Sequence, residues 1–420
     1  MLGPHARCAA MVALASILCA CHPALDAKSD PRPTEVSSGD KNPPNARPGN
    51  EWPNATQIEL VKRRQSGFPV ESWVTEVDWY EPLAIVSGGE SQEIKQATTI
   101  ATEFAAADAL VDAHQSHAFL VWHRGALVHE RYGSKYSQIS RFDTASMHKS
   151  VVAILIGIAI DERLIRSEDD RLDTYLTHLK GTPLGAVPLR ALLQMSSGIT
   201  APARSNDPAS VYWQTYFGND LRQAIGHWKN PLKPYEEFIY ANANTQYLAW
   251  VIEEASGMRY ADFLAQKLWQ PLGNAEARLW LDQPNGMPRA SCCLQASARD
   301  WLRIGLLLLN SGTRGGRAIV SSDWVEKMTQ PSSVNPNYGF QLWLGSPHQP
   351  KRTYYKELPV FVPAKEAFAR DDIFYFDGSG GQRVYVVPSE DLVIVRIGKA
   401  SFTWDDSQLP NLIISLLERN

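Results

Sequence analysis

Cysteine is scarce in this chain, and its five residues are unevenly placed. Cys8, Cys19 and Cys21 lie near the N-terminus, whereas Cys292 and Cys293 are adjacent. Neighbouring cysteines rarely join each other, because the geometry of such a bridge is strained. We therefore interpret Cys292 and Cys293 as small buried residues and expect no disulfide framework. Clusters of Cys and His at metal-ligand spacing are also missing, so the sequence predicts no metal site.

The chain also lacks a strong charge of either sign and the motifs of several enzyme classes. Its net charge is −4 and no long basic run occurs, which gives little support to nucleic-acid binding. It contains no G-x-S-x-G elbow, no H-E-x-x-H motif, no P-loop and no G-x-G-x-x-G fingerprint. What it has is 44% apolar and 20% charged residues among 420, typical of a soluble globular enzyme. We expect no cofactor.

The apolar run at the N-terminus is too short to span a bilayer. Residues 8–20 form the apolar segment of a signal peptide, and the sequence Leu-Cys-Ala-Cys stands at residues 18–21. This ending resembles the lipobox of bacterial lipoproteins, in which the cysteine after the cleavage site is lipidated. The sequence predicts a lipoprotein-type signal peptide over residues 1–20, a lipid anchor on Cys21 and a polar, flexible tether over residues 21–56. The alternative is an ordinary secretory signal that leaves a soluble periplasmic protein, and both interpretations export the chain.

Residues 57–420 predict a single domain of the α+β class. Helical and strand-like patterns indicate a helix and a hairpin first, helices in the middle, then strands and a last helix: Ser91–His114, Ala118–Trp122 with Ala126–Tyr132, Asp169–Leu179, Pro188–Met195, Thr245–Ser256, Tyr260–Trp269, Ala296–Leu309, Phe374–Phe376, Arg383–Val387, Leu392–Ile397 and Leu409–Arg419. The simplest architecture is one antiparallel sheet flanked by helices, with a mostly helical subdomain over about residues 165–310. A cleft between the two would hold the site.

Ser146 and Lys149 are the strongest candidates for chemistry. They are three residues apart, so on a helix they share one face. Asp143 can help to begin this helix, and residues 151–160 are apolar apart from one glycine, which indicates a buried helix. Burial lowers the pKa of a lysine, and a neutral lysine can take the proton of a nearby serine. His148 points roughly the opposite way from Ser146, so we do not expect it to be the base.

Residues 199–239 show no clear period but carry many aromatic side chains. Such a long irregular stretch is often functional. The sequence leaves open whether these rings pack in the core or line a pocket: Tyr212, Trp213, Tyr216, Phe217, Trp228, Tyr235 and Phe238.

Two further motifs accompany the serine and lysine. Tyr240-Ala-Asn242 follows them, and Gly378-Ser-Gly380-Gly-Gln comes near the C-terminus. With Ser146-x-x-Lys149 they resemble the three motifs of the penicillin-recognising serine hydrolases, S-x-x-K, Y-x-N and a glycine-bearing strand. The resemblance covers about residues 66–420. It is closest to the class C β-lactamase-like branch and, within it, to the 6-aminohexanoate-dimer hydrolases and related esterases, and it implies the β-lactamase/transpeptidase-like fold.

The resemblance implies a role for each motif residue. Ser146 would be the nucleophile and Lys149 its base, while Tyr240 would either deliver a proton to the leaving group or share the base role. Beside a lysine, the phenolate form of Tyr240 would be favoured. Asn242 would hydrogen-bond both the lysine and a substrate carbonyl.

The third motif would bind the substrate and its oxyanion. Gly378 and Gly380 would let the substrate backbone lie close to the strand, and the N–H of Ser379 would join that of Ser146 in an oxyanion hole. The family usually opens this motif with Lys or His and then Thr or Gly, whereas Phe376 and Asp377 stand here. We expect Asp377 to repel a substrate carboxylate, unless an arginine of a neighbouring strand, Arg383 or Arg396, supplies a cation.

The sequence therefore predicts a serine hydrolase that forms an acyl-enzyme on a small ester or amide. A β-lactamase or D-Ala-D-Ala carboxypeptidase is one alternative, and a non-catalytic binding or sensor protein on the same fold is another. No oligomeric state is predicted.

Overall fold

The computed structural model describes residues 52–90, 93–98, 103–203, 205–355 and 360–419. The predicted signal peptide, most of the predicted tether and Cys21 lie outside these residues. Within the described part of the chain, no helix is both long enough and apolar enough to cross a membrane.

The strands are short and belong mainly to two antiparallel sheets. In chain order they are β1 (Leu83–Val86), β2 (Ser116–His123), β3 (Ala126–Tyr132), β4 (Arg141–Asp143), β5 (Ala277–Trp280), β6 (Leu294–Ser297), β7 (Thr313–Arg314), β8 (Arg317–Ala318), β9 (Trp343–Leu344), β10 (Lys351–Thr353), β11 (Phe361–Pro363), β12 (Phe374–Gly378), β13 (Gln382–Val387) and β14 (Leu392–Gly398). A sheet of six strands has the order β3-β2-β14-β13-β12-β9, and one of four has the order β1-β5-β6-β4. β7 pairs with β8, and β10 pairs with β11.

The helices lie on both sides of the six-stranded sheet and between the sheets. In chain order they are α1 (Ala55–Gly67), α2 (Ala105–Ala113), α3 (His148–Asp161), α4 (Leu172–Tyr175), α5 (Leu189–Leu193), α6 (Val211–Phe217), α7 (Leu221–Gly226), α8 (Asn242–Ser256), α9 (Tyr260–Leu264), α10 (Ala298–Leu309), α11 (Ser322–Met328) and α12 (Gln408–Glu418). A π-helical turn, Ala265–Trp269, continues α9.

The six-stranded sheet is buried on both faces. Along β13, Val384 and Val386 pack in one apolar core, while Tyr385 and Val387 pack in the other. This alternation follows from the two-residue period of a strand. Helix α10 covers the first face, and α2 and α12 cover the second. The sequence prediction of an antiparallel sheet flanked by helices is confirmed, including the hairpin of β2 and β3 with Arg124-Gly125 at its turn.

Helix α3 is buried along almost its whole length. Every residue from His148 to Ala159 is buried, as expected for a helix that is apolar on all sides. It packs against α8 and against α11, where the Trp324 indole N–H donates to the Ala153 carbonyl at 3.0 Å. At Gly157 a Cβ would overlap the Trp324 ring, so the glycine permits this close approach. The helix therefore holds its first turn, which carries Lys149, rigidly in the core.

The predicted helix Ser91–His114 is wrong in its first part. Residues 93–98 are not helical: Gln96 forms a parallel bridge with Leu127, whose N–H donates to the Lys95 carbonyl at 2.8 Å. Helix α2 begins only at Ala105. The reason is that β3 lies at the edge of the sheet, and residues 95–97 hydrogen-bond to backbone groups that would otherwise be unpaired. Residues 91, 92 and 99–102 lie outside the described residues.

The aromatic stretch over residues 199–239 contains two helices, α6 and α7. Most of its rings lie in the apolar core, including Trp213 and Phe217, which stack with ring centroids 5.7 Å apart. Tyr216 also hydrogen-bonds to a motif residue. Core packing thus accounts for most of these side chains, although the irregular sequence concealed both helices.

Candidate active site

Ser146 lies in a tight turn between β4 and α3. Residues Ala145–Met147 form a 3₁₀ turn that leads directly into the helix. The turn begins with Ala145 at a φ of 49°, a conformation that costs energy for any residue other than glycine. The Asp143 carboxylate compensates by accepting the Ala145 N–H at 2.9 Å. Ser146 is partly exposed, whereas its neighbours on both sides are buried, so the turn presents its hydroxyl alone.

Lys149 approaches this hydroxyl from the first turn of α3. Its Nζ lies 2.8 Å from Ser146 Oγ and 2.5 Å from the carbonyl oxygen of Ser291. A carbonyl oxygen can only accept, so one Nζ–H is directed to Ser291. The lysine is 1% exposed. The structure therefore brings the two residues together as their spacing predicts, with the amine held by a fixed acceptor.

Tyr240 also lies beside this serine. Its hydroxyl interacts with Ser146, which lowers the pKa of the phenol, and Lys149 Nζ lies 5.0 Å from the centroid of its ring. Burial, and next the neighbouring Tyr338 and Asp377, raise the pKa of Tyr240 well above its usual value. The expected phenolate form is therefore wrong, because burial outweighs the nearby lysine. A neutral phenol can donate a proton.

Asn242 is the first residue of α8, two residues after Tyr240. Its side-chain N–H donates to the Tyr216 hydroxyl at 2.7 Å. Both residues line a small cavity with Gln246, Arg289 and Ser291, the residue whose carbonyl accepts from Lys149. The amide thus lies on the helical side of the site, and its orientation is set by a tyrosine that the motifs do not include.

The third motif lies against the turn that carries Ser146. Gly378, the last residue of β12, is so close to this turn that a Cβ would overlap the carbonyl oxygen of Thr144. Gly380, at a φ of 73°, helps to form the turn that joins β12 to β13. Ser379 is 7% exposed, and its hydroxyl has no hydrogen-bond partner among the described residues. The structure therefore places the strand end beside Ser146, as the motif order predicts.

Asp377 does not present a free charge to the cleft. It is 6% exposed and paired with Arg352 at 3.0 Å and Arg383 at 2.7 Å, and it accepts the Tyr354 hydroxyl at 3.0 Å. Burial pushes the pKa of Asp377 up, but the two arginines outweigh it, so the pKa is lowered and the carboxylate is ionised. Asp377 is therefore not the unpaired charge that the sequence analysis expects, because Arg352 and Arg383 neutralise it.

The two arginines considered as substitute cations are both engaged inside the protein. Arg383 is 1% exposed and pairs with Asp377 and with Asp406, at 2.7 Å each. Arg396 is fully buried, and its guanidinium donates to the Ser116 hydroxyl and to the carbonyl oxygens of His114, Gly380, Gly381 and Lys399. Neither arginine is directed at a substrate.

Ser291 and Cys292, which the sequence analysis does not include in the site, contact the first turn of α3 through their backbone carbonyls. Ser291 accepts from Lys149, and the next carbonyl, of Cys292, accepts from Nδ1 of His148 at 2.8 Å. Nδ1 therefore carries the proton, and Nε2 accepts from the Tyr260 hydroxyl at 2.9 Å. Burial lowers the pKa of His148 to about 4. His148 is thus a neutral structural residue, and the expectation that it is not the base agrees with its contacts.

Cys292 and Cys293 are joined by a disulfide. This corrects the interpretation of the pair as small buried residues alone, although both are indeed buried. Cys293 has a φ of 69°. In the segment that precedes the two cysteines, the backbone N–H of Arg289 donates to the Trp280 carbonyl. No local sequence signal indicates this bond. Among the described residues, no group of three or more His, Cys, Asp or Glu side chains could hold a metal ion.

Comparison with known proteins agrees with this geometry. The model of the Beta-lactamase family matches residues 105–415. A 6-aminohexanoate-dimer hydrolase of Paenarthrobacter ureafaciens is 27% identical over 312 residues, which cover 69% of this chain and 73% of that protein. A structure from Bacillus anthracis, provisionally assigned as a 6-aminohexanoate-dimer hydrolase, superposes with a TM-score of 0.65 at 24% identity, over 82% of this chain and 91% of that one.

A class C β-lactamase of Rhodobacter sphaeroides has the same fold, with a TM-score of 0.54 at 19% identity over 75% of this chain and 98% of that one. The family model spans most of the chain and includes the serine, the lysine and the strand that closes the site. The mixed α/β architecture with antiparallel sheets agrees with it. The chain therefore belongs to the Beta-lactamase family of serine hydrolases.

Proposed function

We propose that this protein is an esterase or amidase that acts through an acyl-enzyme on Ser146. The observation that carries the proposal is the contact of one serine hydroxyl with two groups able to move its proton. Lys149 Nζ lies 2.8 Å from the hydroxyl, and the Tyr240 phenol interacts with the same serine. Both partners are buried, so bulk water does not screen their interaction.

The chemistry uses these groups in turn. Neutral Lys149 takes the proton as Ser146 Oγ bonds to the acyl carbon, and the backbone N–H groups of Ser146 and Ser379 stabilise the oxyanion. Tyr240 then gives a proton to the departing alcohol or amine as the bond from the acyl carbon to that group breaks and the oxyanion collapses to the acyl-enzyme. The proton held by Lys149 passes to Tyr240, so both groups return to their starting states. Water releases the acyl group by the reverse sequence. That Lys149 is neutral remains a prediction.

The substrate that fits this site best is a small neutral ester or linear amide. The relative from Paenarthrobacter ureafaciens is named as a 6-aminohexanoate-dimer hydrolase, and this name supports an amide as one candidate substrate. In this chain the residue before Gly378 is Asp377, which forms buried ion pairs with Arg352 and Arg383. The position therefore has no cation that could bind a substrate carboxylate. A β-lactam or a D-Ala-D-Ala peptide carries such a carboxylate, so the site is less suited to it.

Labelling with a fluorophosphonate followed by mass spectrometry tests the nucleophile. We expect one adduct on the peptide that contains Ser146 and none in Ser146→Ala. Ser150→Ala is the matched control, since Ser150 lies one helical turn further on, is buried and donates to the Gln341 carbonyl at 2.7 Å. Labelling that persists in Ser146→Ala would refute the assignment.

A panel of acyl substrates then separates the candidate functions. Turnover of short acyl esters or linear amides supports the proposal, whereas preferential hydrolysis of a chromogenic cephalosporin would indicate a β-lactamase. A stable acyl adduct without turnover would indicate a sensor.

We also propose that the protein is exported and anchored to the membrane by a lipid on Cys21. The support is the apolar leader that ends in Leu-Cys-Ala-Cys ahead of a polar segment. A lipid anchor would hold the hydrolase at the membrane surface, facing the periplasm or the cell exterior.

A further inference from the structure

Four charged side chains are buried together beneath the third motif. Arg352 and Arg383 alternate with Asp377 and Asp406, and we call this group the charged tetrad. Arg352 contacts Asp377 at 3.0 Å and Asp406 at 2.8 Å, while Arg383 contacts each aspartate at 2.7 Å. None of the four is more than 6% exposed. Its two positive and two negative charges balance, which is what burial of charge requires.

The charged tetrad joins parts of the fold that the sheet does not join. Asp377 belongs to β12 and Arg383 to the adjacent β13, where the two residues lie opposite each other. Arg352 comes from β10, which pairs only with β11 among the described strands. Its guanidinium also lies 4.1 Å from the centroid of the Trp343 ring in β9. Arg352 therefore connects β10 to the end of β12 through side chains alone.

Tyr354, two residues after Arg352, extends this connection to Tyr240 of the second motif. The Tyr354 carbonyl accepts the backbone N–H of Tyr240 at 2.9 Å. Its hydroxyl donates to Asp377 at 3.0 Å, and its ring lies edge-on to the Tyr240 ring with centroids 5.1 Å apart. Tyr354 thus contacts Tyr240 with its backbone and ring, and contacts the residue before Gly378 with its hydroxyl.

We propose that Arg352 and Tyr354 are positioning residues that hold Tyr240 and the Gly378 end of β12 in register across the cleft. The inference rests on the proposed function, in which Tyr240 moves a proton and the residues after Gly378 hold the oxyanion. The two groups belong to different elements, so their separation depends on what joins those elements. No backbone pairing of the described strands joins β10 to β12, and the side chains of Arg352 and Tyr354 do so instead.

Packing alone does not explain this arrangement. Apolar residues of similar volume often stabilise a core as well as buried ion pairs do. Directional hydrogen bonds, by contrast, fix distance and angle, and misplacement of reacting groups by about 1 Å can reduce a rate roughly a hundredfold. The interaction of Tyr354 with Asp377 should therefore affect turnover more than it affects substrate binding.

Tyr354→Phe and Tyr375→Phe form a matched pair of variants. Each removes one buried hydroxyl that donates to an aspartate of the charged tetrad, and each keeps the aromatic ring. Tyr354 donates to Asp377 beside the site, whereas Tyr375 donates to Asp406, the other aspartate, at 3.3 Å. Both changes leave all four charges in place, so the variants should fold where a replacement of Arg352 could fail.

Steady-state kinetics on a neutral ester and hydrogen exchange of backbone amides provide the readouts. We expect Tyr354→Phe to lower kcat by roughly ten- to a hundredfold with little change in KM, and to speed exchange at Tyr240 and in residues 376–382. We expect Tyr375→Phe to keep the wild-type kcat and exchange at these positions, even if both variants lose similar thermal stability.

The two readouts distinguish failure of this inference from failure of the proposed function. Wild-type kcat and unchanged exchange in Tyr354→Phe would overturn the inference, as would equal losses of kcat in both variants. If the unsubstituted protein were neither labelled at Ser146 nor active, the proposed function would fail, but exchange in the two variants would still decide whether Tyr354 holds the two motifs.

Discussion

We predict that the charged tetrad makes this site discriminate against substrates that carry a carboxylate. Asp377 stands where the family pattern usually has a small residue after a cation, and it is ionised and neutralised by Arg352 and Arg383. Those two arginines are fully engaged by aspartates, and Arg396 donates to internal oxygens. A carboxylate that reached this edge of the cleft would lose water and gain no charged partner from any of these arginines.

The magnitude can be estimated from the missing bond. A hydrogen bond to a charged group contributes about 1.5–3 kcal/mol, and about 1.4 kcal/mol corresponds to a factor of ten. We therefore expect kcat/KM for a carboxylate substrate to be roughly ten- to a hundredfold below that for its neutral counterpart.

A matched pair of substrates measures this difference directly. The two esters share one acyl group, and their hydroxy-acid leaving groups carry either a free carboxylate or its methyl ester. We expect the methyl ester to be turned over faster, and we expect kcat/KM for penicillin G to lie well below that for a neutral short-chain ester. Equal or better turnover of the free carboxylate, or efficient hydrolysis of penicillin G, would refute the reasoning.

Four further predictions concern single residues. Ser146→Ala and Lys149→Ala should each abolish turnover with the fold intact, and the double variant should be no worse, because the two act as one unit; additive losses in kcat/KM would contradict this. Tyr240→Phe should lower kcat far more than it raises KM, since the phenol acts on a proton in the transition state; an unchanged kcat would make it a binding residue only. Burial raises the pKa of Asp143 from 3.8 to about 7, so the folded state holds a proton that the unfolded chain loses, and stability should fall as the pH rises through this range; Asp143→Asn should flatten that slope in urea titrations, and a retained slope would assign it to another group. Cys21→Ser should release the protein from membranes, whereas an unmodified N-terminus in the native protein would rule out the lipid anchor.

The contacts that sequence predicts best are local ones. Ser146 and Lys149 meet because they are three residues apart at the start of a helix, which an apolar run marks as buried. The hairpin of β2 and β3 is equally local, since Arg124 and Gly125 both have positive φ values that suit its turn. Such features depend on neighbours in the chain, so composition and spacing suffice to predict them.

Contacts between distant segments could not be predicted in this way. The carbonyl that holds Lys149 belongs to Ser291, 142 residues away, and a backbone acceptor has no sequence signature. The same holds for Arg352, which lies 25 residues before the aspartate that it neutralises. The disulfide of Cys292 and Cys293 was not predicted for another reason, because the usual geometry of disulfides disfavours a bond between adjacent residues.

The ion pair of Asp377 with Arg383 could have been predicted from the sequence. The turn after Gly378 is short, so a hairpin there would place Asp377 directly opposite Arg383, and opposite charges at such positions predict an ion pair. The structure has this register. The sequence analysis treats Asp377 as unpaired and Arg383 as a possible cation for the substrate, although each residue is the partner of the other. Opposite charges across a predicted hairpin should be paired with each other before either is assigned to a ligand.

This pairing also changes what a substitution at position 377 would do. From the sequence, Asp377→Lys is expected to supply the missing cation and to narrow the gap between neutral and carboxylate substrates. In the structure the new ammonium group would lie between Arg352 and Arg383, with Asp406 as the remaining acidic member of the charged tetrad. Three buried cations with one counter-ion are strongly unfavourable, so loss of stability would precede any gain in specificity. A cation for the substrate therefore requires that Arg352 or Arg383 be neutralised in the same variant.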